Sequence, residues 1–509
     1  MFQGIINIKD KIIIEKIFSP DSVEITINDS RYEFPDAWIY PGFIDSHCHL
    51  LGLGNKLLGL TLDNETSEQN CIDCVLNYKK LYLTNEAPSK WILGRGWNQE
   101  LWQNNQLPSK LTLDFHFPDT PVCLTRVDGH AAWVNSTALK LAGIDKYTEN
   151  PIGGIIHRDR NNEPTGILID NALNIINAII PKLSSDTLLR SFSVAMDECA
   201  RIGLTEIYDM DFNINHVPIL LDMAEDKELN IRINTFIKTT DGKWKDSDVR
   251  PLFSSYFNIL GVKFYVDGAL GSYGAALSLP YSDNQSTLGL IVVDPETYEN
   301  DLFYACRKGF AIATHAIGNA AVKFVLHHYI KLRKKGFTNI LRIEHAQLLD
   351  PEDLQLFKDY CISPSVQPVH YVSDFEMAKK RLGTNRNILA YPWKSFLNNN
   401  IIFSSGSDFP IETHNPLHGI EALVRRQPSD SHQEQINPEI LCIEDAIKTY
   451  TLYPSMIHKY SSKRGSLNIG LAADLTILDA NLSTIKSSDI SKARVLATFC
   501  NGKPTYISN

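Results

Sequence analysis

Two histidines separated by one residue, in PGFIDSHCHLLGLG (41–54), have the types and spacing for metal chemistry. In an extended strand, residues two apart share a face. His47 and His49 should then point one way and Cys48 the other. Two imidazoles on one face suit a bidentate grip on a divalent ion. Taken alone, the pair fits two polar residues at a strand end equally well. Further candidates stand at the polar ends of other apolar runs: Lys263 in GVKFYVDG, His315 in ATHAIGN, His345 in RIEHAQ and Asp408 in SSGSDFP. A single buried histidine is usually structural. Four histidines at the same end of three predicted strands point to a shared site.

The elements that must position them recur along the chain. Apolar or β-branched runs, each ending in polar residues and a short loop, occupy 42–49, 203–211, 230–238, 259–268, 309–316, 340–347, 361–368 and 400–408. Helical patterns fit between several of them, at 188–203, 319–336 and 350–360. Gly203 reads as a helix stop and Asn319 as an N-cap. Eight strands alternating with helices predict an α/β fold, a (β/α)8 TIM barrel, in which active-site groups lie at the C-terminal strand ends. About 150 residues separate the first two runs, too many for a structureless loop, so a subdomain must be inserted there. The chain ends carry short alternating strands that should pair into a small β-sandwich. The expected division is 1–41 with 464–509 for the sandwich, 42–60 with 185–463 for the barrel, and 61–184 for the insertion.

Composition narrows the partners. The 509-residue chain is 43% hydrophobic and 21% charged, ordinary for a globular protein. A net charge of −10 and a pI near 5.8 argue against nucleic acid or an anionic membrane surface. No apolar run reaches transmembrane length, and the first residues lack the form of a signal peptide, so the expected address is the cytoplasm. Nine unevenly spaced cysteines suit reduced thiols. Cys71 and Cys74 lack a second ligand pair for a zinc knuckle and read as helical neighbours.

PGFIDSHCHLLGLG, VDGHAAWVNS, GVKFYVDGALGS, THAIGNAAV, RIEHAQLL, SVQPVHYVSD and GSDFPIETHNPL together resemble the amidohydrolase superfamily. More narrowly, the chain is similar to its amidohydrolase family 3 branch, the YtcJ-like proteins that include N-substituted formamide deformylase. GSLNIGLAADLTILD matches the C-terminal β-domain signature of these hydrolases. The resemblance implies two divalent metal ions, zinc by expectation, at the barrel mouth. His47 and His49 would bind the more buried ion, carboxylated Lys263 would bridge both, and His315 and His345 would hold the second. Asp408 would be a ligand and the catalytic proton shuttle. Trp97, His130, Gln367 and His370 sit in shared motifs and would line the substrate pocket. Relatives commonly carry aspartate where this chain has Asn319.

Such a centre hydrolyses a C–N bond of a small-molecule amide with water as nucleophile. No GxSxG elbow and no Walker P-loop occurs. Tryptophans 91, 97, 102 and 133 in the insertion suggest an apolar lid, which would favour a small substrate with an apolar N-substituent; a core role fits most of them equally. One competing reading is a mononuclear deaminase on the same barrel, disfavoured by the lysine on the fourth strand and by the lack of a glutamate in HAIGN. The other is a non-catalytic scaffold, disfavoured by retention of every expected ligand. A homodimer is left open.

Overall fold

The computed structural model describes residues 1–508 except 20–21, 29, 83–90, 128, 130, 152, 247, 384–385, 428–437 and 461. The chain forms two compact units, Met1–Leu50 with Ala195–Asn509, and Leu51–Val194.

In the first unit an eight-stranded parallel sheet carries the predicted barrel. Its strands are β1 (Phe43–Cys48), β2 (Leu204–Phe212), β3 (Arg232–Lys238), β4 (Phe257–Tyr265), β5 (Ala311–Ala316), β6 (Leu341–His345), β7 (Ile362–Val366) and β8 (Ser404–Ser405). Each pairs with its sequence neighbour in the order β8-β7-β6-β5-β4-β3-β2-β1. Every one of the eight apolar runs therefore became a strand. The runs are apolar almost throughout because helices and barrel interior bury both faces; all six residues of β1 are buried. Among the predicted helices, Ser185–Arg201 enters β2 and Asn319–Lys334 follows β5.

The edges meet beyond the short β8. Asp408 N–H donates to the His47 carbonyl at 2.7 Å, and His49 N–H to the Phe409 carbonyl at 2.8 Å. Asp45 reinforces this seam, accepting from His47 N at 3.0 Å and from Ser407 Oγ at 2.6 Å. Gly406 is required by space: a Cβ there would lie 2.3 Å from the His47 nitrogen.

Both chain ends build the sandwich. One four-stranded sheet comprises Gly4–Lys9, Ile12–Phe18, Ser22–Ile27 and Ser30–Pro35; the other comprises Trp38–Pro41, Leu475–Leu478, Val495–Cys500 and Lys503–Ile507. Their alternating apolar residues meet in one core, with Ile6, Ile25 and Phe34 from the first sheet and Ile39, Leu475 and Phe499 from the second. Asp474 beside Leu475 takes a buried ion pair from Arg232 of β3 at 2.7 Å, tying sandwich to barrel.

The second unit contains a six-stranded sheet in the order Gly154–Arg158, Pro164–Asp170, Ala131–Val134, Val122–Arg126, Ile92–Trp97, Leu60–Thr61. Strand alternation gives it two cores. Leu124, Trp133 and Ile167 face one, and Cys123, Ala132 and Leu168 face the other. Among the described residues no helix is long and apolar enough to cross a membrane.

Gly406→Ala should force β8 off β1. The expected loss is about 1–3 kcal/mol of stability, the usual range for overpacking a rigid site. A urea midpoint equal to that of the wild type would show that the seam tolerates the methyl group.

Candidate functional site

The C-terminal ends of β1, β4, β5 and β6 and the turn after β8 deliver the predicted residues to one place. His47 and His49 share a face, as the alternation of β1 requires. Their Nε2 atoms lie 3.5 and 3.1 Å from Asp408 Oδ1. Cys48 turns the other way, its thiol donating to the Tyr208 carbonyl at 3.5 Å. The ring centroids of His47 and His345 are 5.0 Å apart, and those of His315 and His345 are 4.5 Å apart.

Backbone geometry departs from regular strand at the site. His345, Ala346 and Asp408 have φ of +70°, +43° and +61°. These left-handed conformations are costly for residues with a Cβ and are held by surrounding bonds. At β6 they have a direct consequence. Strict alternation would send Glu344 and His345 to opposite sides; the turn at His345 lets both act on the same cluster.

The two imidazoles of β1 and its end each have a defined partner for the second nitrogen. His49 Nδ1 is 2.9 Å from the Met210 carbonyl, so it carries the proton and leaves Nε2 with a free lone pair. His47 Nδ1 is 2.7 Å from Glu344 Oε2. Glu344 is in turn bound by Arg342, at 2.9 Å from Nε and 3.0 Å from Nη2. Arg342 also donates to the Ser46 carbonyl and to Ser365 Oγ, at 2.7 and 2.9 Å. A carboxylate behind an imidazole orients it and raises its basicity toward a metal. Sequence reading did not single out Arg342 or Glu344. Their i, i+2 spacing in RIEHAQ was the available signal, since it puts both on the barrel's inner face.

Electrostatics disfavour the charged form of His315 and His345 and favour the charged form of Asp408; at His49 burial would lower the pKa, but Asp408 outweighs it and raises it. Burial, then the nearby Lys263 charge, lower the His315 pKa to about 3. Burial, then the neighbouring His315, push His345 well below its ordinary value. For Asp408, burial alone would raise the pKa, but His47 and His49 outweigh it and hold the carboxyl well below its usual range. Lys263 is fully buried, with Nζ 4.8 Å from the centre of the Tyr265 ring. Burial lowers its pKa, against the opposing pull of Glu344 and Asp408. Among the described residues no carboxylate lies within 4.0 Å of its ammonium.

The donor set fits a divalent metal. His315 Nε2, His345 Nδ1 and His370 Nε2 are buried without a hydrogen-bond partner, an expense that coordination would remove. Ligand atoms of His47, His49 and Asp408 lie within 4.8 Å of one another, and so do those of His345, His370 and Asp408. His370, expected to meet substrate, thus has its Nε2 3.7 Å from Asp408 Oδ2 and its ring stacked on His345.

The other recognition candidates divide. Gln367 is buried at the end of β7, its amide donating to the Ser365 carbonyl at 3.3 Å. His130 lies outside the described residues. Trp97 corrects the expectation of a pocket-facing indole. It is fully buried in the core of the inserted unit, and its N–H is spent on the Leu124 carbonyl at 2.7 Å. Trp102 and Trp133 share that core. Asn319 is also corrected: it is the first helical residue, not the cap. Its amide donates to Ser278 Oγ and Asp350 Oδ1 at 2.6 and 2.5 Å, and Gly318 occupies the N-cap. Asp267 accepts from the Ala276, Ile317 and Gly318 nitrogens at 2.9, 3.0 and 2.9 Å, and its Oδ1 lies 3.5 Å from His315 Nε2.

A sequence profile described as "Amidohydrolase family" matches residues 36–506. The chain belongs to the amidohydrolase family. It is 34% identical to "Putative amidohydrolase YtcJ" of Bacillus subtilis (strain 168), over 97% of this chain and 92% of that protein. It is 24% identical to the N-substituted formamide deformylase of Arthrobacter pascens, over 92% of this chain and 88% of that one. Its fold matches the crystal structure of an uncharacterized metal-dependent hydrolase from Pyrococcus horikoshii OT3 with a TM-score of 0.76. That match has 24% identity and covers 94% of each chain. The amidohydrolase assignment accounts for the collected imidazoles at the strand ends.

Glu344→Gln should leave the Arg342 guanidinium buried without its counter-charge. Breaking a buried pair in this way costs about 3–5 kcal/mol. The pH dependence has a defined sign. Burial would raise the Glu344 pKa, but Arg342 and His47 hold it well below the ordinary carboxylate value. Its stabilisation is therefore complete above about pH 4.3 and is lost as pH falls below that value. Urea denaturation from pH 7 to pH 3 should give a flatter acid limb for the variant. Equal slopes would remove Glu344 from the charge network.

Proposed function

We infer that the protein is a metal-dependent amidohydrolase that cleaves a non-peptide C–N bond of a small amide, with an N-substituted formamide as the leading substrate class. The observation that carries this reading is Lys263, buried beside the imidazoles and Asp408 and without an ion pair among the described residues. A depressed pKa leaves a fraction of the side chain as neutral amine, the form that adds carbon dioxide to become a carbamate. Carboxylated Lys263 would then offer two oxygens to divalent ions. His47 and His49 would hold one ion and His315 and His345 the other, with Asp408 as a further ligand. The formamide deformylase relative supports the bond type, and its name supplies the first substrates to try.

Bound zinc ions would lower the pKa of water and polarise a carbonyl oxygen. The protein's own groups do the rest. His49 is fixed in one tautomer by Met210, and His47 is oriented by Glu344, so neither needs to reorganise during the reaction. Asp408 is ionised and lies within reach of three imidazoles. It takes the proton from the attacking water and delivers it to the nitrogen of the departing amine. The products are a carboxylate and a free amine, formate where the substrate is a formamide.

A screen of N-formyl and other N-acyl amines against zinc-loaded protein, read by amine release, tests the reaction. Loaded protein that releases no amine from any of them would overturn the bond assignment. Asp408→Asn keeps an oxygen ligand but removes the base, so turnover should fall about 10²–10⁴-fold while metal stays bound. Unchanged turnover would sink the proton-shuttle role.

Lys263→Ala tests the bridge. Metal content measured by mass spectrometry should fall from about two equivalents to about one. A short carboxylic acid should partly restore both metal and activity by supplying the missing oxygens. Two equivalents in the alanine variant, or one in the wild type, would favour a mononuclear mechanism.

A further inference from the structure

A cleft of about 580 Å³ opens at the end of the barrel opposite the imidazoles, where β6, β7 and β8 begin. Ile340, Phe357, Ile362, Ile402 and Met456 supply apolar wall, and Arg333, Lys358 and Lys459 line it as well. Among the described residues no carboxylate does. Arg333 is held in place by neutral partners. Its Nε donates to the Tyr360 carbonyl at 2.8 Å, its Nη1 to Phe337 and Asn339 at 2.9 and 2.8 Å, and its Nη2 to Cys361 at 3.1 Å. Among the described residues none of the three cations has a carboxylate within 4.0 Å. Burial lowers the Arg333 pKa, as expected of a half-buried guanidinium without a counter-ion.

The geometry points to this cleft as a binding site for an amphipathic carboxylate, a medium-chain fatty acid, with its chain along the apolar wall and its head among Arg333, Lys358 and Lys459. The volume is in the ordinary range for small-ligand sites, about 300–1,000 Å³. Each methylene transferred from water to the wall adds affinity, and the carboxylate supplies the missing negative charge. A neutral chain would leave the cations unanswered. A second copy docked on this face by a two-fold axis would bring its own three cations against these. The site is separate from the proposed amide chemistry and does not depend on it.

Cys361 lines the cleft and is exposed, so it serves as a reporter. The full-length protein should bind decanoate by calorimetry, and decanoate should slow alkylation of Cys361, followed by peptide mapping. Decanol should bind at least about tenfold more weakly, the equivalent of about 1.4 kcal/mol. Met456→Trp, which fills the cleft, should abolish decanoate binding. Lys358→Glu combined with Lys459→Glu changes only exposed side chains and should weaken binding about tenfold. Arg333 is left intact because its four carbonyl bonds hold the surrounding loops. No decanoate binding at about 1 mM, equal affinity for decanol, or unchanged affinity in the lysine double variant would overturn the assignment. Self-association that Met456→Trp removes, with no effect of decanoate, would assign the face to a second copy and overturn it as well.

Discussion

Arg342 and Glu344 form an ion pair with no solvent exposure on either side chain, inside the barrel. Removing two such charges from water costs several kcal/mol each, and their attraction offsets this only when every remaining donor and acceptor is satisfied. Here they are. Glu344 is bound by Arg342 and His47, and Arg342 reaches the Ser46 carbonyl, Ser365 and His458. The pair therefore fastens β1, β6 and β7 together from within. It also sets the orientation of His47, because the nitrogen held by Glu344 leaves the other directed at Asp408. Fold and site share one set of bonds, and neither can shift without the other.

The seam between β1 and the turn after β8 repeats that economy. The backbone bond from Asp408 to His47 closes the barrel, and the side chains of the same two residues converge on the site. Asp45 gathers His47 and Ser407 nitrogens from behind. Burial raises its carboxyl pKa to about 7 despite the hydrogen bonds from Ser407 and His47 that pull it down. An Asp408 carrying a left-handed φ is affordable because the hydrogen bonds around it fix the turn. Positions of this kind store strain where precise aim is needed.

What could be read from the sequence follows from what each pattern encodes. A parallel barrel buries both faces of its strands, so eight apolar runs were visible without structure. The polar residues closing those runs marked the active end. Strand alternation gave the pairing of His47 with His49 and the turning away of Cys48. It failed at His345, where a positive φ breaks the period, and so it hid Glu344 behind its neighbour. Trp97 was misplaced because large aromatics pack cores and line pockets with the same composition; only the contact with Leu124 decides between them. Asn319 was misread because a capping residue and a first-turn residue differ by one position. Its partners Ser278 and Asp350 come from loops that no local pattern brings together.

Charge balance gives the proposed lysine modification its physical reason. Burial disfavours the charged forms of His315 and His345, and Glu344 is already matched by Arg342. Asp408 then faces His47, His49 and His370, Asp267 lies 3.5 Å from His315, and Asp211 is nearby; one oxygen of Asp211 has no hydrogen-bond partner. A cationic Lys263 would cancel one of these charges and repel any metal. Its burial disfavours that cationic form, and its positive charge is among the influences lowering the pKa of both His315 and His345. Conversion to a carbamate replaces +1 by −1 at a single buried position. The change would remove the repulsion, raise the affinity of all four imidazoles for a divalent ion, and leave Asp408 free to exchange protons. A glutamate at the same place would carry the charge, but its shorter stem would stop short of a bridging position. A long side chain that becomes anionic only after it is buried satisfies both requirements.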